Sequence, residues 1–443
     1  MKPMIWTDIV AMVVLAVLAA ATQAAARVDA GHTRYQVINL GALPGATTAY
    51  GATINNRGWV MGESGVDPGN WPVLTHATLW RNGVITDLGT LGGPGSGIDW
   101  VQKNDTGLIV ILSQTAIDPN NEDFCNFPFN TDLACLGAVW QNGVLTALPT
   151  LGGYNAYPGG VNNWGQIVGA AETSTQDPTC TLPQVLDFEA VIWGPKPGQI
   201  HALPPFPGDS VGVALGINDW GQVVGASGAC APYGQSTVHA LLWQDGRPFD
   251  LGSLGGQNGT VPFVINNRGQ VVGYSDLADD VTTHAFLWTK GNHMQDLGTL
   301  PGDAFSSASG INDKGQVVGG SCDASGNCRD FLWQDGTMTD LNALVCPGTS
   351  LYLTGNGVAG PDINDRGEIT GEAYDPNTGD TPAFLAVPTD HCEAASSGAP
   401  TGQKVILPES VREQLRQRKG FGRFGLADET AFGVSEYEGD LKY

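Results

Sequence analysis

One short phrase recurs seven times and decides what this chain can fold into: an apolar residue, Asn, two turn residues, Gly, then an apolar run. It stands at Ile54–Gly58, Val161–Gly165, Ile217–Gly221, Ile265–Gly269, Ile311–Gly315 and Ile363–Gly367, with a worn copy at Lys103–Gly107. By subtraction of those positions, successive turn glycines lie 46 to 58 residues apart. A repeat of that period is an array of small units that bury their cores only against one another.

The clearest unit runs from Ser306 to Leu344. A run of small residues leads into the turn Asn312–Gly315, where Asn and Gly tolerate the positive φ of a tight hairpin. Gln316–Gly319 is β-branched and strand-like, Asp330–Trp333 is a second apolar run, Asp335-Gly336 is a hairpin signal, and Met338–Leu341 closes the unit. Each unit therefore predicts four short antiparallel strands. No stretch between residues 35 and 392 carries a helical period. A Trp ends the third strand at Trp80, Trp140, Trp193, Trp243, Trp288 and Trp333, the placement expected for packing between stacked sheets. The glycine pairs Gly92-Gly93, Gly152-Gly153 and Gly255-Gly256 are expected in the connections between units.

The two ends of the array are defective in complementary ways. Asn39–Gly45 aligns with Asp296–Gly302, so it is a fourth strand with nothing before it. The last unit ends at Ala383–Val387 with no fourth strand after it. A closed ring, with residues 35–41 pairing onto 383–387, supplies the missing strand and leaves no bare edge. The predicted fold is all-β: a seven-bladed β-propeller of four-stranded antiparallel blades over residues 35–392, closed by the N-terminal strand. Six or eight blades is the main competing count, because blade 2 is degenerate. The small residues of each first strand suit the crowded axis. The Asn-x-x-Gly and Trp-x-x-Gly turns fall on one face. The loops between strands two and three, and between units, fall on the other, where binding is expected because long variable loops sit on a rigid frame.

His284-Ala285-Phe286, followed by Leu287-Trp288, Asp296–Leu300 and Ile311–Gly319, resembles the HAF-repeat family of extracellular repeat proteins. The likeness covers nearly all of residues 35–387. It departs at Ile109–Ile111, which lacks the usual Gly, and at Gly137, Glu189, Asp330 and Pro382, read as standing where the His belongs. The resemblance implies export and repetition; it implies no activity and no catalytic residues.

Residues 1–26 read as a secretory signal, with an apolar run over 9–21 and small residues up to Ala26; an uncleaved anchor is the alternative. Eight cysteines fit an exported chain. All are read as lying in loops or beyond the last strand. Cys125–Cys135 and Cys322–Cys328 share loops, Cys180–Cys230 would clip adjacent blades, and Cys346–Cys392 would hold the ring seam. No Cys-x-x-Cys supports zinc. The net charge of −24 speaks against nucleic acid and anionic membrane surfaces as partners. Residues 393–443 read as a linker and flexible tail with a short helix near Pro408–Lys419 and a local basic patch.

The chemistry is sparse. His76, His239 and His284 start third strands, with Glu189 and Asp330 read at the same place; capping of a strand edge is expected over a ring of ligands. The Asp-rich loops at 118–123, 276–280 and 375–380 offer calcium as a cofactor, but none completes a twelve-residue Ca²⁺ loop, and Asx turns explain them. No nucleophile elbow, phosphate loop or metalloprotease helix is present. The unrepeated residues Asp99, Trp100, Tyr154 and Tyr157, with the loop-face aromatics Trp71, Phe124, Phe127 and Tyr233, are the candidate ligand contacts. The sequence thus predicts a secreted or periplasmic binding or scaffold module for a protein or glycan. A polysaccharide-acting hydrolase or lyase and a structural envelope protein are the alternatives.

Overall fold

The computed structural model describes residues 33–66, 74–117, 133–180, 184–230, 239–355, 360–392 and 405–412. Its strands form seven small antiparallel sheets arranged as a seven-bladed β-propeller. Blade 4 shows the pattern: Val211–Ile217, Val223–Gly228, His239–Gln244 and Arg247–Asp250, each paired with the next. Blades 1, 2, 3, 5 and 6 begin at Thr48, Gly92, Gly152, Gly255 and Phe305 and have the same order. Blade 7 closes the ring. Ile369–Tyr374 pairs with Ala383–Thr389, and Ala383–Thr389 with Arg34–Gly41, in the register Tyr35↔Pro388 through Gly41↔Ala383. The two chain ends thus share a sheet, as the complementary defects require.

The glycine of the Val-Val-Gly strand has a steric cause. The first strand bulges just before its end, for example between Ala214 and Gly216, and the bulge drives a carbonyl onto the facing glycine. A Cβ on Gly225 would lie 2.0 Å from Val213 O, and one on Gly273 1.9 Å from Val261 O. Blade 2 has Ile111 at this position, and its first ladder stops early, at Gly97↔Leu112. There the Gln102 side chain replaces the missing pairing: Val110 N donates to Gln102 Oε1 (2.9 Å) and Gln102 Nε2 donates to Val110 O (2.5 Å).

The third-strand tryptophans pack between sheets as expected. Trp193 and Trp243 are buried, and their indole N–H groups donate to Pro149 O (2.8 Å) and Pro204 O (2.7 Å) in the preceding connections. The glycine pairs do not lie in the connections; they open the first strands of blades 2, 3 and 5. The chain there passes so close to its neighbour that a Cβ on Gly153 would meet Glu172 Cβ at 2.4 Å. Blade 7 departs most. Its inner strand is split into Tyr352–Leu353 and Asp362–Ile363, both paired with Ile369–Tyr374, and is preceded by a single helical turn, Leu341–Leu344, capped by Asp340.

Three disulfides have the expected pairing: Cys180–Cys230 between blades 3 and 4, Cys322–Cys328, and Cys346–Cys392. Cys346 N also donates to Tyr35 O (2.8 Å), so that bridge lies beside the closing strand. Cys135 is disulfide-bonded; Cys125 lies outside the described residues. Cys135, Cys322 and Cys328 are strand residues rather than loop residues, and Cys322 faces Cys328 directly in the ladder. Part of the region expected as linker and tail is packed. Residues 409–412 are helical, Leu407 and Val411 are buried with Tyr352, and Leu407 N donates to Asn327 Oδ1 (3.3 Å).

Candidate functional site

The seven Asn residues of the repeated phrase do more than turn the chain. Each Oδ1 caps its own hairpin: Asn218 Oδ1 accepts from Trp220 N (3.1 Å) and Gln222 N (3.0 Å). Each Nδ2 donates to the main-chain carbonyl of the equivalent Asn in the next blade. The series runs Asn55 to Asn104, Asn162, Asn218, Asn266, Asn312 and Asn364, and Asn364 returns to Asn55 O at 3.0 Å. The next residue in each phrase forms a second closed ring, its side-chain oxygen accepting the preceding blade's N–H. Asn163 N donates to Asp219 Oδ1 (2.9 Å), Asp219 N to Asn267 Oδ1 (2.9 Å), and Asp365 N to Asn56 Oδ1 (2.9 Å). The whole second ring and five asparagines of the first line a cavity at the axial mouth on the turn face.

Two departures from the repeat meet at this mouth. Lys103 stands where the other phrases have Ile or Val, and Asp362 where Gly216 and Gly310 stand in theirs. Lys103 Nζ reaches Asp362 Oδ1 at 2.7 Å and Ile363 O at 2.7 Å. Asp362 is fully buried and also accepts from Thr53 Oγ1 and Ile54 N, each at 3.0 Å. The pair joins blades 2 and 7 across the ring. A buried carboxylate needs such a partner, because desolvation alone would make its charge costly.

Deeper along the axis lie three of the four unrepeated residues singled out by sequence. Tyr157 OH donates to Asp99 Oδ2 (2.7 Å), and the Trp100 ring meets Tyr157 edge-on at 6.5 Å and Phe263 at 5.5 Å. Trp100 and Tyr157 are buried, and Asp99 is half-buried beside them. Burial, with Asp99 beside it, holds the Tyr157 phenol well above its ordinary range. Burial and the carboxylates of Glu372, Asp99, Glu63 and Asp362 do the same to Tyr50, whose OH donates to Gly360 O (2.9 Å). Tyr154 is apart from this group, at 49 % exposure. Trp71, Phe124, Phe127 and Tyr233 lie outside the described residues.

Three of the histidines lie against carboxylates. His76, His239 and His284 contact Asp87, Asp209 and Asp296 through Nδ1 at 2.8, 2.8 and 2.9 Å. The ladders correct one alignment. His284 pairs with Ser275, four residues before Trp288; the residues so placed in blades 2 and 6 are Leu136 and Arg329, not Gly137 and Asp330. Arg329 does the histidine's work twice, binding Asp303 (2.8 Å) and Asp340 (3.0 Å). Asp330 occupies the neighbouring alanine position, fully buried, and burial with Asp340 and Glu372 nearby pushes its carboxyl far up. Of the Asp-rich loops, Asp279 accepts from Val281 N, Thr282 N and Thr282 Oγ1, and Asp375 from Asn377 N and Ser350 Oγ, so both cap turns. The 118–123 loop lies outside the described residues.

The fourth residue of each phrase was not singled out by sequence, and it forms the rim of the mouth. Trp164 and Trp220 hold this place in blades 3 and 4, at 68 % and 76 % exposure. Arg268, Lys314, Arg366 and Arg57 hold it in blades 5, 6, 7 and 1, all exposed. Four of these side chains lean in one sense onto the following turn. Trp164 Nε1 donates to Asp219 O (2.9 Å), Trp220 Nε1 to Asn267 O (2.8 Å), Arg268 Nη1 to Asp313 O (3.4 Å), and Arg366 Nη1 to Asn56 O. Unrepeated chemistry at a repeated position was the available signal.

No protein-family model matches the chain, and no curated protein matches it in sequence. Solved structures similar to it include the Pyrococcus horikoshii acylaminoacyl peptidase, at 11 % identity and TM-score 0.46, over 81 % of this chain and 52 % of that one. An Aleuria aurantia lectin matches at 10 % identity and TM-score 0.34 over 68 % and 96 %, and a Xanthomonas campestris gluconolactonase at 12 % and 0.32 over 58 % and 82 %. The chain spans about half the length of the peptidase structures it matches.

Proposed function

We propose that this chain is an exported binding module whose turn face takes a carbohydrate. The observation that carries the reading is the Trp164–Trp220 pair. Aromatic residues are enriched at interaction surfaces, and here two exposed ones stand in adjacent blades. These two are fixed at their indole nitrogens by the next blade's main chain, so little side-chain entropy remains to be lost on binding. A rigid indole face is the surface against which the C–H face of a pyranose packs, and two of them in adjacent blades suit successive sugar units. Export is supported by the three disulfides, which persist in oxidising compartments. Among the described residues no helix is long and apolar enough to cross a membrane. The reading shifts the binding surface from the loop face to the turn face.

A glycan array probed with the disulfide-intact protein tests this. Binding should fall at least tenfold in the Trp164→Ala/Trp220→Ala double variant, with its melting temperature within about 2 °C of the parent, because exposed side chains contribute little to stability. Full affinity in that variant would remove the turn face as the binding surface.

A further inference from the structure

The cations of the propeller are segregated. Strands alternate in direction within each blade, so the one–two and three–four turns share a face. Arg57, Lys103, Arg268, Lys314 and Arg366 stand in or beside the first kind of turn, and Arg81, Lys196, Arg247 and Lys290 in or beside the second. Between residues 34 and 392 the other cations are Arg34, which donates to Ala343 O (2.8 Å), and Arg329, which is tied to Asp303 and Asp340. The opposite face and the connections carry acids such as Asp279, Asp280, Asp303, Asp323, Asp375 and Asp380. Within residues 34–392, nine of the eleven Lys and Arg residues therefore stand on one face, the way the two tryptophans face, whereas Arg412 of the C-terminal segment donates to Ser325 O (3.0 Å) on the other.

We infer that the ligand of the turn face is an acidic polysaccharide, one bearing carboxylates along its backbone. This rests on the carbohydrate reading above and narrows it. The rim is continuous: Trp220 lies on the main chain of Asn267, which precedes Arg268, and Arg268 lies on the main chain of Lys314. A saccharide stacked on Trp164 and Trp220 would carry its next acidic groups to Arg268 and Lys314. Four carboxylates share the mouth, but they are tied inward. Asp219 Oδ2 is held by the amides of Asn163 (3.0 Å) and Asn267 (3.4 Å), and Asp313 and Asp365 accept main-chain N–H groups at 2.8 Å. The cations stand outside that ring, where a polyanion gains from counter-ion release and steering. Single-stranded nucleic acid shares this aromatic-plus-cation chemistry. The disulfides and the acidic remainder of the molecule favour the extracellular polymer.

Calorimetry with the full disulfide-bonded chain would compare polygalacturonate, its methyl-esterified form and a single-stranded oligonucleotide. Polygalacturonate should bind at least tenfold more tightly than the ester, and 0.5 M NaCl should abolish the difference. Arg268→Gln/Lys314→Gln should erase the preference and leave the melting temperature and binding to the ester unchanged. Equal binding of acid and ester would overturn the inference and leave the carbohydrate reading standing. Absence of binding to both would overturn the inference, while the glycan array decides the carbohydrate reading. Tighter binding of the oligonucleotide would overturn the acidic-polysaccharide assignment in favour of nucleic acid.

Discussion

Replacing Lys103 by Met should destabilise the ring far more than neutralising its partner. Asp362 is fully buried, whereas the Lys103 side chain keeps 27 % exposure at the mouth. Removing one member of a buried ion pair costs about 3–5 kcal/mol, because the other is left as an uncompensated charge. Asp362 would still accept from Thr53 Oγ1 and Ile54 N, so the low end, about 3 kcal/mol, applies to Lys103→Met. Asp362→Asn keeps both of those bonds, and Lys103 keeps Ile363 O and its access to water, so that change should cost about 1 kcal/mol. The double variant should resemble Asp362→Asn rather than the sum, with a coupling of about 2–3 kcal/mol. Urea denaturation of the four proteins, at constant m-value, measures this directly. A cost below about 1 kcal/mol for Lys103→Met, or a double variant as unstable as that single one, would refute the reasoning.

Asn218→Asp keeps the turn cap but places an oxygen against Asn266 O, where the amide donated at 3.0 Å; about 2–3 kcal/mol should be lost by the same assay. Chain entropy ranks the disulfides: replacing Cys180–Cys230, which spans 50 residues, should cost about 4 kcal/mol, and Cys322–Cys328, which spans 6, about 2, read from denaturation of the paired Ser variants. Burial, with Glu189 and Asp177 nearby, raises the Asp187 carboxyl from 3.8 to about 6. Its charge then costs stability above about pH 6 and nothing below about pH 4, so Asp187→Asn should raise the melting temperature at pH 8 and leave it unchanged at pH 4. Solvent reaches this group, so the gain should be about 1 kcal/mol rather than the full linkage; a gain at pH 4 as large as that at pH 8 would contradict it.

Much of the fold was legible because its causes are local. Turn chemistry, a fixed third-strand Trp and the two incomplete end units gave the blade count, the seam and three cysteine pairings. The histidine position could have been read correctly by counting four residues back from each Trp, which reaches Leu136 and Arg329 rather than Gly137 and Asp330. Asp99, Trp100 and Tyr157 were visible as oddities, and the structure brings them into contact. Lys103 and Asp362 were present in the repeat as defects, but 259 residues separate them, and neither suggests the other.

The chain's own order of residues set what each unit would be, since hairpin geometry and strand alternation act within a few residues. Closure decided the rest. Only when seven units share an axis do seven asparagine amides form a circuit, two mismatched residues become a buried ion pair, and the third turn positions become one rim. Those relations depend on distance in space between segments that the covalent chain leaves far apart.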